Sequence, residues 1–171
     1  MDIQENIVNK VASSGLVTFN LELYYDQGER VVYDIKENLF HGLMLREKDF
    51  REFIKAHDWV SYTGKNVAVI CSADAIVPTW AYMLLANKLK PFANEVVFGD
   101  LDTLEAVLFS KALAKVDLSV YQDARVVVKG CADIDVPVSA YVEITSLLTP
   151  VVRSIMYGEP CSTVPIFKRK D

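Results

Sequence analysis

The sequence is poor in the residues that most often build catalytic and metal sites. It holds only three cysteines and two histidines among its 171 residues. No two cysteines have Cys-x-x-Cys spacing, which argues against thioredoxin-like redox chemistry and ribbon-type zinc sites. An odd number of cysteines also argues against a disulfide framework and favours reduced thiols. We therefore expect a cytoplasmic protein.

Membrane spans, export signals, basic stripes and phosphate-binding loops are missing as well. The apolar runs are far shorter than the roughly 20 residues of a membrane helix, so we expect no membrane association. Charged residues interrupt the first ten positions, and no apolar signal region follows. The formal charge is -5 with acids and bases mixed, which disfavours nucleic-acid binding. Neither G-x-x-x-x-G-K-[ST] nor G-x-G-x-x-G occurs, so a phosphate-cradling loop has no support.

Short apolar runs alternate with helical patterns through the last two thirds of the chain. The runs at 67–71, 95–98 and 125–129 are rich in β-branched residues, which is typical of strands buried on both faces of a parallel sheet. Helical patterns follow them near 78–93, 103–116 and 137–157. Strands that alternate with helices predict βαβ units with right-handed crossovers.

Further elements are predicted at both ends of the chain. Helical spacing occurs over 1–15 and 46–59, and period-2 alternation over 30–36. Residues 164–168 favour an edge strand, because Pro165 cannot donate to a central ladder. The expected fold is therefore a single α/β domain over 1–171 with one mainly parallel sheet flanked by helices. It divides into an N-terminal part, 1–64, and a βαβαβα core, 65–171.

A motif occurs twice and carries two of the three cysteines. The segment CSADAIVPTWAY begins at Cys71, and CADIDVPVSAY begins at Cys131. The pattern predicts a duplicated strand-Cys-loop-Pro-helix unit, with each proline in the first turn of its helix. The two cysteines align after a one-residue gap. At an offset of 59 residues the identical pairs are Ala73/Ala132, Asp74/Asp133, Val77/Val136, Pro78/Pro137, Ala81/Ala140, Tyr82/Tyr141, Leu89/Leu148 and Pro91/Pro150.

The motif predicts a thiol site at the carboxyl edge of the sheet. Each thiol would follow a parallel strand, at the edge where open α/β sheets bind ligands, and precede a helix N-terminus that favours thiolate. We expect Cys71 and Cys131 to lie at the same edge and to ligate a metal together, with Asp74 and Asp133 lining the same depression as ligand-binding residues.

Two further residues are candidate metal ligands, and a simpler interpretation stays open. Cys161 and His41 would complete the ligand set. Cys161 follows Gly158, the expected end of the last helix, so we expect it at the opposite end of the sheet. In the simpler interpretation the cysteines are small buried hydrophobes and the two aspartates are loop residues or helix caps.

Several phrases resemble the bacterial family catalogued as domain of unknown function 2480. They are ENIVNKVASSGL (5–16), CSADA (71–75), VFGD (97–100), VKGC (128–131) and MYGEPCSTVP (156–165). The resemblance covers almost the whole chain and implies a bacterial cytoplasmic protein without an assigned activity. It also implies a genomic context near iron–sulfur cluster assembly, and so iron–sulfur assembly proteins as partners.

Two functions from different classes fit these observations, and whether the protein is an enzyme stays open. The first is an accessory protein that handles metal or iron–sulfur clusters through cysteine thiolates, with zinc or an iron–sulfur cluster as its cofactor. The second is a non-catalytic binding or scaffold domain with structural cysteines. Either could act as a homo-oligomer.

Overall fold

The computed structural model describes residues 15–130 and 133–170, which form two compact units. Unit 1 combines residues 15–25 with 109–170, and unit 2 is Asp26–Leu108. The helix predicted over 1–15 lies outside the described residues except for its last position. The single-domain organisation with a division after residue 64 stays a prediction.

Strands and helices alternate along the described chain. Its α-helices are α1 (Glu47–Ala56), α2 (Thr79–Leu89), α3 (Leu101–Leu113) and α4 (Val138–Leu148). Its strands are β1 (Leu16–Asn20), β2 (Arg30–Asp34), β3 (Asn66–Ile70), β4 (Glu95–Phe98), β5 (Arg125–Lys129), β6 (Ser154–Glu159) and β7 (Ser162–Lys168). Its 3₁₀ helices are Leu21–Tyr24, Ile35–Asn38, Trp59–Tyr62 and Leu118–Tyr121. Within these described ranges, no helix has both the length and the apolar character to cross a membrane.

Unit 2 is built on a parallel sheet in the order β2-β3-β4. The central strand β3 is buried on both faces, as its run of β-branched residues predicts. Val67 and Val69 pack in the same core as Leu85 of α2. Ala68 points to the other face and packs with Leu104 and Leu108 of α3. The helices thus exclude water from both faces of the sheet.

Unit 1 is built on a four-stranded sheet in the order β1-β5-β6-β7. The first three strands are parallel, and β7 pairs antiparallel with β6. Val126 and Val128 of β5 pack with Ile144 and Leu148 of α4. The edge strand predicted around Pro165 is confirmed, because β7 contains this proline and ends the sheet.

The α/β class is confirmed, but the prediction of one sheet is wrong. The predicted strands 67–71 and 95–98 pair with each other, whereas 125–129 belongs to a different sheet. Its partner strands are β1 and β6, neither of which the sequence predicted. A continuous run of apolar residues indicates that both faces of a strand are buried. It does not indicate which other strand pairs with it.

The helix predicted over 137–157 is also too long. Helix α4 ends at Leu148, and β6 begins at Ser154. Gly158 therefore lies inside a strand and does not end a helix. Ile155 of β6 is buried in the core of unit 1. This tertiary contact is consistent with a strand at 154–159 and is not visible in the local pattern.

Corresponding elements of the two units lie 59 residues apart, from β3 to β5 and from α2 to α4. Pro78 and Pro137 occupy the same position, and their carbonyls accept the N–H groups of Ala81 and Ala140 at 2.9 Å each. Both prolines cap their helices one residue before the first turn, so their predicted placement inside that turn is wrong. The duplicated unit itself stays a prediction.

Candidate functional site

The thiol of Cys71 is held by its own loop. Cys71 is the first residue after β3 and is half-buried against the core of unit 2. It is not in a disulfide, and its Sγ donates a hydrogen bond to the carbonyl oxygen of Ala73 at 3.4 Å. This part of the prediction is met, because one thiol does lie between a parallel strand and a helix.

A carboxylate at the end of the neighbouring strand fixes this loop. The carboxylate of Asp34 accepts the Ser72 backbone N–H at 3.1 Å and the Ser72 hydroxyl at 2.5 Å. Burial alone would raise the pKa of Asp34, but the hydrogen bonds from Ser72 and Lys36 outweigh it and leave the pKa below its usual value. Burial, followed by the neighbouring charges of Cys71 and Asp34, raises the pKa of Tyr82. These side chains form one polar cluster at the carboxyl edge of β2 and β3.

The corresponding loop of unit 1 is also fixed by a carboxylate but begins with a glycine. Strand β5 ends at Lys129, so Gly130 has the position that Cys71 has after β3. A Cβ at Gly130 would lie 2.8 Å from the Cβ of Leu21. The carboxylate of Glu22 accepts the N–H of Asp133 at 2.8 Å. Counted from the strand ends, Cys71 and Cys131 are therefore not at equivalent positions.

The other candidate ligands belong to both units. Asp74 and His41 are both exposed in loops of unit 2, and Asp133 is exposed in unit 1. Cys131 lies outside the described residues. In the part of the chain that the structure describes, no three His, Cys, Asp or Glu side chains are grouped to hold a metal ion. The predicted ligand set and the shared depression of the aspartates stay predictions.

Cys161 lies at the carboxyl edge of the unit 1 sheet and not at the opposite end. It is exposed in the turn between β6 and β7. Strand β6 is parallel to β5, and an ion pair between Lys129 and Glu159 joins the two strand ends at 3.4 Å. The expected position was wrong because it depended on a helix where the structure has β6.

Unit 2 carries an exposed apolar patch on two segments that pair with each other. We define the apolar patch as Phe40, Leu43, Met44 and Ile76, all of which are exposed. Backbone pairing joins its two segments, because Met44 bridges to both Phe40 and Ile76. Contiguous exposed apolar surface of this kind marks an interaction site more often than scattered single residues do.

Comparison with known sequences assigns the chain to one family. The family described as protein of unknown function (DUF2480) matches residues 5–169. The chain belongs to this family. No curated protein and no solved structure matches the chain. The family resemblance read from the sequence phrases is confirmed, and the roles of individual residues rest on the geometry alone.

Sequence reasoning missed the apolar patch and the Asp34 cluster for different reasons. The run LFHGLML at 39–45 contains most of the patch and could have indicated it. Ile76 is distant in sequence, and only the fold brings it beside Met44. The Asp34 cluster could not be predicted for the same reason, since its partner Ser72 lies 38 positions away along the chain.

Proposed function

We propose that this protein is a non-catalytic binding domain that holds another protein chain through the apolar patch of unit 2. The observation that carries the proposal is the exposure of four large apolar side chains on two segments that backbone hydrogen bonds join. Leu43 is 63% exposed and Ile76 is 76% exposed. Burying a large apolar side chain is favourable by about 1.5–3 kcal/mol. Binding of a partner over the patch would gain part of this free energy.

The backbone that carries the patch is ordered before any partner arrives. The N–H of Phe40 donates to the carbonyl of Met44 at 2.7 Å. The N–H of Ile76 donates to the carbonyl of Leu43 at 3.1 Å, and the N–H of Leu45 donates to the carbonyl of Ile76 at 3.3 Å. A preformed surface loses little conformational entropy on binding, which favours recognition.

Site-specific photo-crosslinking in the cell tests this function. A benzophenone amino acid at position 43 or 76 should give a discrete protein adduct. The same amino acid at position 60 is the control, because Val60 is 64% exposed in the same unit but lies outside the patch. An adduct at twice the chain mass would identify a second copy as the partner. Absence of an adduct at both patch positions, or an equal adduct at position 60, would contradict the proposal.

A second proposal is that the protein acts in the cytoplasm in metal or iron–sulfur cluster handling, beside iron–sulfur assembly proteins. The half-exposed, disulfide-free thiol of Cys71 at a strand end supports it, and the exposed thiol of Cys161 suits a reducing compartment. Among the described residues, no three His, Cys, Asp or Glu side chains are grouped as a ligand set, so a site would need ligands beyond them. Metal content after gentle purification, compared between the native chain and C71S and C131S variants, tests it. Metal below about 0.1 per chain would contradict it, because thiolate sites hold metal tightly.

A further inference from the structure

A depression in unit 1 combines positive charge with an apolar floor. It lies where β5 and β6 begin and β7 ends, and its volume is about 430 Å³. Three cationic side chains border it: Arg125, Arg153 and Lys168. Its apolar lining includes Met156, Pro165 and Phe167. The volume is within the range of about 300–1,000 Å³ found for small-molecule sites.

Unit 2 shows that the fold does not require cations at the positions of Arg125 and Arg153. The residues 59 positions before Arg125 and Arg153 are Asn66 and Asn94, at the same strand starts. Asn66 is fully buried, donates to the Asp26 carboxylate at 2.7 Å and accepts from Asn94 at 2.7 Å. Neutral amides therefore occupy these two positions in unit 2, while arginines at the same positions border an open depression in unit 1.

The charge of the depression opposes the charge of the whole chain. The chain carries a formal charge of -5, yet three cations converge here. The carboxylate of Asp123 pairs with Arg169 at 2.5 Å and also interacts electrostatically with Arg153, so that part of the charge of Arg153 is compensated. A local positive field raises the concentration of anions at this surface. The apolar floor adds a preference for a ligand with a hydrocarbon part, because burying apolar area is favourable at about 25 cal/mol per Å².

We propose that this depression binds a small amphipathic organic anion, with its carboxylate at Arg153 and Lys168 and its hydrocarbon part over Met156, Pro165 and Phe167. The site lies in unit 1 and shares no residue with the apolar patch. It therefore goes beyond the proposed function and can fail or hold independently of it.

Binding of octanoate to the full chain tests the site. Isothermal titration calorimetry at low salt should show saturable binding of one octanoate per chain. Octanol, which lacks the charge, and acetate, which lacks the hydrocarbon, should each bind at least about tenfold more weakly. Amide chemical-shift changes should map to the starts of β5 and β6 and the end of β7. No saturable binding, equal binding of octanol, or shifts confined to another surface would overturn the proposal.

A charge-neutralised variant tests the role of the cations. The double variant R153Q/K168Q should weaken octanoate binding by about twofold to thirtyfold, since two exposed ion pairs contribute about 0.2–1 kcal/mol each. Its control is K115Q, which removes one exposed positive charge from unit 1 outside the depression. Unchanged binding by the double variant, or an equal loss in K115Q, would overturn the assignment of the site.

Discussion

The two units share a central strand-helix-strand order, β3-α2-β4 and β5-α4-β6, but present different surfaces. At the starts of their central strands, unit 2 has the buried Asn66 and unit 1 has the exposed Arg125. At the ends of the same strands, unit 2 has a half-buried thiol at Cys71 and unit 1 has the buried Gly130. The strands fix the scaffold, and the residues at their ends decide what each edge can bind.

The segment after the third strand of each unit explains a second difference. In unit 2 the chain continues from β4 into α3, whose Leu104 packs on the sheet beside Ala68. In unit 1 the chain turns from β6 into β7, which extends the sheet by one strand. Extending the sheet gives the basic depression one of its walls, because Pro165 and Lys168 belong to β7. The added strand β7 thus forms a wall of the depression in unit 1, whereas the added helix α3 completes a core in unit 2.

The largest expected effect is a difference in unfolding free energy between variants at the starts of the central strands β3 and β5. An N66A variant should lose about 2–3 kcal/mol of unfolding free energy, because Asp26 and Asn94 lose a buried hydrogen-bond partner. The matched R125A variant should lose less, about 1 kcal/mol at most, because the interactions of an exposed charged side chain contribute about 0–1 kcal/mol. Urea denaturation measures both values. Equal losses would show that the two edges do not differ as described.

The next largest effect is a difference in unfolding free energy between variants just after the ends of β5 and β3. A G130A variant should lose about 1–3 kcal/mol, because its Cβ would meet the Cβ of Leu21 at 2.8 Å and the hydroxyl of Tyr141 at 3.2 Å. The matched C71A variant should lose less than about 1 kcal/mol, since it removes only a half-buried sulfur. Urea denaturation is again the measurement. A G130A variant as stable as the native chain would mean that the loop of unit 1 has room for a side chain.

The smallest expected effect concerns the pH dependence of the unit 2 loop. Because the pKa of Asp34 is lowered in the folded state, its contribution to stability is present above the usual carboxyl pKa and is lost as pH falls through the lowered value. An S72A variant should therefore be less stable than the native chain at pH 7, by about 1 kcal/mol or less, with a smaller difference near pH 3.

The control for this effect is S61A. The hydroxyl of Ser61 donates to the backbone carbonyl of Asp58 and not to a carboxylate. Its effect on stability should therefore be the same at both pH values. If the S72A difference were also independent of pH, Asp34 would not be the group that holds the loop.

Elements with a strong local pattern could be predicted from the sequence. The β-branched run of β3 and the amphipathic face of α1 gave both elements nearly their observed bounds. Pro165 placed β7 at a sheet edge, because a residue without an N–H cannot donate to a central ladder. Each of these conclusions depends on residues within about ten positions of one another.

The sequence by itself determined the α/β class, the main helices, the family and the position of Cys71 after a strand. Only the tertiary structure decided that β5 pairs with β1, that Cys161 lies at the carboxyl edge of its sheet, and that Ile76 joins Met44. Both candidate binding surfaces belong to this second group. Their residues are far apart along the chain, and the local periodicity of side chains carries no information about which distant strands will pair.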